Sequence, residues 1–178
     1  MKKILVLFLI AAVSCSTVKI RGVEKSTDFS LTRYSTFNFV DVDMQGDAFG
    51  PNTDSNLSLL KQAITTQLTQ RGLKLADQPD LQVNIGVVVS EEVQTREKSF
   101  ANPADRTMYM GQRNYSWNAN EVAVGTYRQG SVTVHLVDRA ASQLVWKGTA
   151  ESVLPNRKDK DVSALITESM TKLFAGVN

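Results

Sequence analysis

The segment GSVTVHLVDRAASQLVWKGTAE, Gly130–Glu151, decides the fold because its pattern is that of two strands joined by a turn. Valines and Leu136 alternate with polar residues in its first half, and Leu144-Val145-Trp146 begins a returning strand. A period of two is typical of a half-buried strand. We therefore predict an antiparallel hairpin with Asp138–Gln143 as its turn and Trp146 packed in the core.

Two further strands precede this hairpin in the sequence. Phe37 and Phe39 alternate with polar residues and predict a first strand with an aromatic face. Leu81–Val89 alternates at period two behind Pro79-Asp80, which predicts a half-buried strand.

Two amphipathic helices are predicted from apolar residues at three- and four-residue spacing. The first is capped by Asp54 or Ser55 and ends at Gly72. The second follows a polar break at 155–161. Their apolar positions are Leu57, Leu60, Ile64 and Leu68 in the first helix, and Val162, Leu165, Ile166, Met170, Leu173 and Phe174 in the second.

The element order β-α-β-loop-β-β-α predicts an α+β fold: a mainly antiparallel sheet with two amphipathic helices packed on one face. Residues 28–178 form one domain, since 178 residues with 42% hydrophobic content suit a single core. Without Lys2 and Lys3 the chain carries 18 basic and 18 acidic residues, so no basic stripe marks a nucleic-acid binder.

Residues 90–129 are long, polar and poor in aliphatic side chains. We predict a loop that is either functional or contains an irregular hairpin, to which Val122–Tyr127 supplies one strand. Its aromatic residues are either pins that hold the loop on the domain or exposed anchors for a partner. These possible partner-binding residues are Tyr109, Tyr115, Trp117 and Tyr127.

The chain begins with features of an export signal. Two lysines precede ten apolar residues, Ile4–Val13, far fewer than the roughly 20 that span a bilayer. Ala12-Val13-Ser14-Cys15 resembles the lipobox of bacterial lipoproteins, with Ala12 where leucine is commoner. We therefore predict a lipoprotein signal peptide at 1–14. Ordinary signal cleavage at the same bond, leaving a free thiol, is the alternative.

The lipobox resemblance implies a diacylglyceryl group and an amide-linked acyl chain on Cys15, the only cysteine. Two chains suffice for stable membrane anchoring. Residues 15–27, polar and without periodicity, are predicted to be the lipidated cysteine and a tether. Ser16 in second place resembles lipoproteins of the outer membrane, which implies the inner leaflet and a domain that faces the periplasm.

Three blocks of the chain resemble a family of bacterial lipoproteins defined by domain of unknown function 4136. They are DFSLTRYSTFNF, LKQAITTQLTQRGLKLADQPDLQVNI and GSVTVHLVDRAASQLVWKGTAE. The resemblance implies an envelope lipoprotein and brings no catalytic residues with it. The positions that match the family pattern are Asp28, Phe29, Tyr34, Gly72, Ala76, Asp77, Asp80, Leu81, Asp138, Val145, Trp146 and Gly148.

No catalytic or metal-binding constellation stands out in the sequence, and no cofactor is expected besides the lipid. His135 is the only histidine and lies in a strand, out of phase with the apolar residues, so it predicts a solvated side chain. We expect a non-enzymatic binding or structural module in the periplasm, whose partners are the membrane and possible further envelope proteins. The alternatives are an auxiliary lipoprotein of an envelope lipid or ABC-type transport system and, more remotely, a carboxylate-based envelope hydrolase.

Overall fold

The computed structural model describes residues 18–46, 52–97, 99, 121–155 and 162–177. Within these ranges the chain forms six strands, two helices and a 3-10 turn at Leu31–Arg33. The strands are β1 (Lys19–Lys25), β2 (Thr36–Gly46), β3 (Lys74–Leu75), β4 (Leu81–Glu97), β5 (Glu121–Asp138) and β6 (Gln143–Val153). The helices are α1 (Thr53–Thr69) and α2 (Ser163–Phe174).

All six strands belong to one mixed sheet in the order β1-β6-β5-β4-β2-β3. The pairs β1–β6, β6–β5 and β5–β4 are antiparallel, whereas β2 runs parallel to β4 and to β3. Helix α1 lies between β2 and β4 in the chain, as a parallel pair requires, because the backbone must return to the same end of the sheet. The predicted α+β class is confirmed.

Both helices pack on the same face of the sheet. Alternate residues of β4 lie in the core with the apolar sides of α1 and α2. Trp146 on β6 is 1% exposed, and its ring lies 5.4 Å from that of Phe174 on α2. The core residues of β4 and the helices are Leu81, Val83, Ile85, Val87, Leu60, Ile64, Leu68, Ile166, Met170, Leu173 and Phe174. No helix in these described ranges is long and apolar enough to cross a membrane.

The ends of α1 show which helix signals were correct. The helix starts at Thr53, so the predicted cap at Asp54 or Ser55 is wrong. Asp54 lies inside the first turn, where the helix dipole favours a carboxylate. The predicted end at Gly72 is confirmed: Gly72 has φ +95°, and the N–H of Leu73 donates to the carbonyl of Leu68 at 3.1 Å.

The tether predicted for residues 15–27 is wrong for Lys19–Lys25, which form β1 at one edge of the sheet. All seven residues of β1 are exposed, so burial leaves no period-two pattern in the sequence. Backbone pairing with β6 holds the strand, from Lys19 opposite Glu151 to Lys25 opposite Trp146. Backbone pairing of an exposed strand imposes no alternation of apolar and polar residues, so the sequence does not reveal it.

Within residues 90–129, the described stretches 90–97 and 121–129 are strand and not loop. Strand β4 continues to Glu97 and β5 begins at Glu121, and the two remain paired over this length. The alternative of an irregular hairpin is confirmed in the described part, including the strand at Val122–Tyr127. The irregularity is a bulge, where the register shifts between Gln94 and Thr95.

Candidate binding surface

The sheet face opposite the helices carries mostly polar residues, and we call it the open face. In β4 it carries the residues that alternate with the core positions, such as Gln82 and Asn84. The pairing register places His135 and Thr133 of β5 on the same face, as their partners in β4 are Asn84 and Gly86. The polar residues of the open face include Asn38, Asp41, Asp43, Gln82, Asn84, Tyr127, Gln129, Ser131, Thr133, His135, Lys147, Thr149, Glu151 and Glu24, and its apolar residues include Val88, Val137, Leu144 and Val153.

A central row of five polar residues crosses the open face from one strand to the next. Asp41 is opposite Asn84, Asn84 opposite His135, His135 opposite Lys147, and Lys147 opposite Glu24. Lys147 Nζ lies 3.9 Å from Glu24 Oε1. Side chains directly opposite in a sheet are close enough to interact. The row therefore presents acidic, amide, imidazole and ammonium groups side by side.

Two members of the central row have unusual surroundings. The side-chain oxygen Oδ1 of Asn84 is buried and accepts no hydrogen bond from the described residues. An unsatisfied buried acceptor costs about 1–3 kcal/mol. Burial lowers the pKa of His135 below 6.5, the nearby charge of Lys147 lowers it further, and Glu24 opposes the shift. At neutral pH the uncharged imidazole is therefore the main form, with one nitrogen able to donate and the other to accept.

The open face can bind polar groups, but its described residues do not assemble a catalytic arrangement. The hydroxyl groups of Thr133 and Thr149 form a hydrogen bond with each other, with 3.0 Å between the two oxygens. His135 has an amide and an ammonium as its cross-strand neighbours, not a nucleophile. In the part of the chain that the structure describes, no three His, Cys, Asp or Glu side chains gather as metal ligands.

A two-stranded ribbon extends the sheet beyond its other strands. It consists of Ser90–Glu97 of β4 and Glu121–Arg128 of β5, since β2 pairs with β4 only as far as Val89 and β6 reaches β5 only from Gln129 onward. An isolated two-stranded hairpin is marginally stable in water. The ribbon nonetheless exposes apolar side chains, including Val93 at 59%.

Tyr127 is the one predicted partner-binding aromatic in the described ranges. It is half-buried on the ribbon strand of β5, opposite Glu92. Alternation along β5 places it on the same side as Thr133 and His135, at the end of the open face. Tyr109, Tyr115, Trp117 and Cys15 lie outside the described residues.

Residues that carry the family resemblance close the end of the sheet away from the ribbon. The carboxylate of Asp80 accepts the N–H groups of Ser35 and Thr36 at 3.0 and 3.1 Å, and the bond from Ser35 does most to lower its pKa. The carboxylate of Asp138 accepts the N–H of Ala141 at 2.9 Å and the hydroxyl of Tyr34 at 3.0 Å. These contacts lower the pKa of Asp138 as well. The matching positions are structural.

Sequence reasoning missed Asn84 and Lys147 as members of a surface. Their signal was present, because both alternate with apolar residues on half-buried strands. The sequence did not show which polar residues of separate strands become neighbours.

Sequence reasoning also missed Arg71 as a contact between the helices. Its guanidinium donates to the carbonyls of Phe174 at 2.6 Å and of Val177 at 3.1 Å.

Comparison with known protein families gave one match. A family model described as "Domain of unknown function (DUF4136)" matches residues 21–176. The comparison with curated protein sequences gave no match.

The comparison with solved structures gave matches of low sequence identity. The PelC dodecamer from Paraburkholderia phytofirmans is 14% identical with a TM-score of 0.48, over 89% of this chain and 99% of that one. A variant of that dodecamer, in another crystal form, is 15% identical with a TM-score of 0.46, over 89% and 95%. A PDZ domain protein from Parabacteroides distasonis is 12% identical with a TM-score of 0.44, over 89% of this chain and 34% of that one.

Proposed function

Since the chain belongs to the DUF4136 family, we propose that it is a bacterial envelope lipoprotein whose domain is a non-enzymatic binding module. In this proposal Cys15 carries the lipid, the protein sits in the inner leaflet of the outer membrane, and the domain faces the periplasm. The open face and the adjoining ribbon bind another component of the envelope.

The observation that carries the binding function is the central row of the open face. It offers hydrogen-bond donors and acceptors across five strands, with a buried oxygen on Asn84 that has no partner among the described residues. This oxygen has almost no solvent-accessible surface, so a ligand reaches it only when neighbouring side chains of the row move aside. A ligand group that then donates to it removes the cost of leaving it unpaired. A neutral His135 beside it adds a donor and an acceptor without the desolvation cost of a charge.

The short distance between Cys15 and β1 supports a membrane-proximal role. Lys19, the first residue of the sheet, lies four positions after Cys15. Fully extended, this length of chain reaches at most about 14 Å. A lipid on Cys15 therefore holds the β1 edge of the domain beside the membrane surface, which favours a partner that is itself in or on that membrane.

In-cell photo-cross-linking tests the binding surface. A photoreactive residue replaces Thr133 or Tyr127 on the open face and, as the matched control, the exposed Gln62 on α1. We expect one discrete adduct from both open-face positions, none from Gln62, and a weaker adduct after Asn84→Ala. Equal adducts from all three positions, or adducts only from Gln62, would contradict the proposal.

A second experiment tests the anchor separately. Cells supplied with an alkyne-tagged fatty acid should incorporate the tag into the wild-type chain, and Cys15→Ser should abolish incorporation. A wild-type chain that is exported and cleaved without tag would be the ordinarily secreted form, and the lipid anchor would be wrong while the binding surface could still stand.

A further inference from the structure

The edge strand β1 has one free side and begins close to Cys15. Within the described residues it pairs only with β6, and all seven of its residues are exposed. Lys19 comes four positions after Cys15, and that length of chain reaches at most about 14 Å when fully extended. A lipid on Cys15 therefore keeps the start of β1 within that distance of a membrane surface.

The acidic residues of this edge are already matched by basic neighbours. Glu24 of β1 lies 3.9 Å from Nζ of Lys147, its partner in β6. Glu151 of β6 accepts a hydrogen bond from Nε of Arg21 at 2.7 Å. Strand β1 and the β6 residues paired with it contain no other acidic side chain. The remaining charge of the edge is therefore basic.

Lys19 and Lys25 supply this remaining charge from the two ends of β1. Neither forms an ion pair with a residue that the structure describes. The opposite edge of the sheet is acidic, because the part of β2 beyond β3 carries Asp41 and Asp43 and no basic residue. An anionic lipid surface therefore attracts the β1 edge and repels the β2 edge.

A bulge gives the β1 edge two exposed apolar side chains on one side of the sheet. The register of β1 against β6 shifts between Ile20 and Gly22. Ile20 and Val23 are consequently opposite Ala150 and Gly148 and lie on the same side, although they are three positions apart. Ile20 is 38% exposed and Val23 48%. Apolar side chains between basic ones suit a membrane interface, where apolar groups lie below the head groups.

The form of this edge disfavours another strand as its partner. Lysines on an edge strand and a β-bulge are features that protect a sheet from pairing with another chain. A membrane surface needs no backbone register, and its phosphate oxygens can accept hydrogen bonds from N–H groups on the free side of β1.

Given the lipid anchor proposed at Cys15, we propose that β1 is the edge of the domain that contacts the membrane. Lys19 and Lys25 bind anionic lipid head groups, and Ile20 and Val23 lie between them at the interface. The sheet then stands on its β1 edge, with β2 about 19 Å farther from the membrane at four strand spacings. The open face is thereby turned to the side, where a partner can reach it.

A polarity-sensitive dye tests this orientation in the lipidated full chain, reconstituted in vesicles of phosphatidylcholine with or without phosphatidylglycerol. The lipid occupies the sulfur of Cys15, so one introduced cysteine carries the dye. Gly22→Cys places it on β1, where a Cβ meets no atom within 4 Å, and Lys74→Cys on β3 at the opposite edge is the matched control. We expect spin-labelled lipids to quench the dye on β1 more than the dye on β3, and phosphatidylglycerol to strengthen the quenching only on β1.

Charge variants of the Gly22→Cys chain test the basic residues. Lys19→Gln with Lys25→Gln should shift the equilibrium from contact to release by about fivefold per lysine, the factor expected for one basic residue near an anionic surface. Lys74→Gln with Arg139→Gln removes the same charge at exposed positions away from β1 and should leave the quenching unchanged. Raised salt should weaken the contact of the unsubstituted edge.

Three outcomes would overturn this proposal alone, in a chain whose fatty-acid tag shows that the anchor is present. They are equal quenching of the dyes on β1 and β3, stronger quenching on β3, and equal losses from the two pairs of charge variants. A chain that takes up no tag would overturn the anchor and this membrane contact together.

Discussion

Gly148 lies against the indole of Trp146 so closely that a Cβ on residue 148 would come within 2.5 Å of the ring carbon Cη2. The same Cβ would be 2.8 Å from Cδ1 of Leu173. Both neighbours are fixed in the core, at 1% exposure each. The glycine of the family-like Val-Trp-x-Gly pattern is therefore required by the tryptophan two residues before it.

We predict that Gly148→Ala destabilises the domain by about 1–3 kcal/mol, because an extra methyl group in a filled core forces neighbouring side chains to move. Urea unfolding followed by tryptophan fluorescence measures the free energy of unfolding. Gly22→Ala is the matched control, since a Cβ there meets no atom within 4 Å. Equal stabilities for the two variants would show that the core accommodates the methyl group.

Arg71 connects the ends of the two helices. Its guanidinium donates to the carbonyl of Phe174 in α2 at 2.6 Å and to that of Val177 after α2 at 3.1 Å. It also donates to the carbonyl of Gln67 in α1 at 2.8 Å. Hydrogen bonds from a charged donor are worth about 1.5–3 kcal/mol, so we expect Arg71→Ala to lower the free energy of unfolding by that order.

Arg71→Lys should lose most of the same free energy, because an ammonium group cannot reproduce the planar fork of the guanidinium. Thermal unfolding of both variants provides the measurement, with Arg139→Ala at the exposed hairpin turn as control. An Arg71→Lys variant as stable as the wild type would mean that charge alone, without the fork, holds the helix ends.

The carboxylate of Asp80 should make stability fall in acid. Its hydrogen bonds with Ser35 and then Thr36 lower its folded-state pKa below the ordinary value of 3.8. The stabilisation is therefore complete above about pH 4–5 and is lost as the pH falls through the lowered pKa. We expect Asp80→Asn to flatten this acid dependence in urea titrations between neutral and acidic pH.

Asp77→Asn, at an exposed aspartate of the same turn, is the control for Asp80→Asn and should retain the acid dependence of the wild type. If both variants keep that dependence unchanged, the backbone contacts of Asp80 do not contribute to it. Asp138, whose pKa is lowered by the N–H of Ala141 and then by Tyr34, is expected to contribute to the acid dependence that Asp80→Asn leaves.

His135 should titrate below its ordinary pKa of 6.5, mainly because it is partly buried and also because Lys147 is near. As the only histidine of the chain, it gives a single set of imidazole resonances by NMR. Lys147→Gln should raise the midpoint, and Glu24→Gln should lower it further. A midpoint at or above that of the urea-unfolded chain would contradict the burial of this face.

The lowered pKa of His135 also predicts a sign for stability. Folding disfavours the charged imidazole. The contribution of His135 to the free energy of unfolding is therefore complete above pH 6.5 and is lost as the pH falls through the folded-state pKa. His135→Gln should remove this component of the pH dependence and leave the acid component of Asp80 in place.

The periodicity of apolar residues predicted those strands and helices that can be recognised from a single segment of the chain. The alternation in Leu81–Val89 and Gly130–Glu151 gave the central strands, and the spacing of Leu60, Ile64 and Leu68 gave α1. Burial on one side imposes these periods, so they are readable in a single stretch of chain. Strand β1 was predicted as a tether because it buries neither side and leaves no such period.

The sequence by itself determined the α+β class, the half-buried strands, the two helices and the core position of Trp146, since each follows from local spacing and from the burial of apolar side chains. Only the tertiary structure decided which polar residues meet. Asn84, His135 and Lys147 come from three separate strands, and they become a row only through the register of the sheet. The hydrophobic pattern of each strand tells which of its sides is buried, but which polar residues of separate strands lie opposite each other is settled only when the strands pair over long sequence distances.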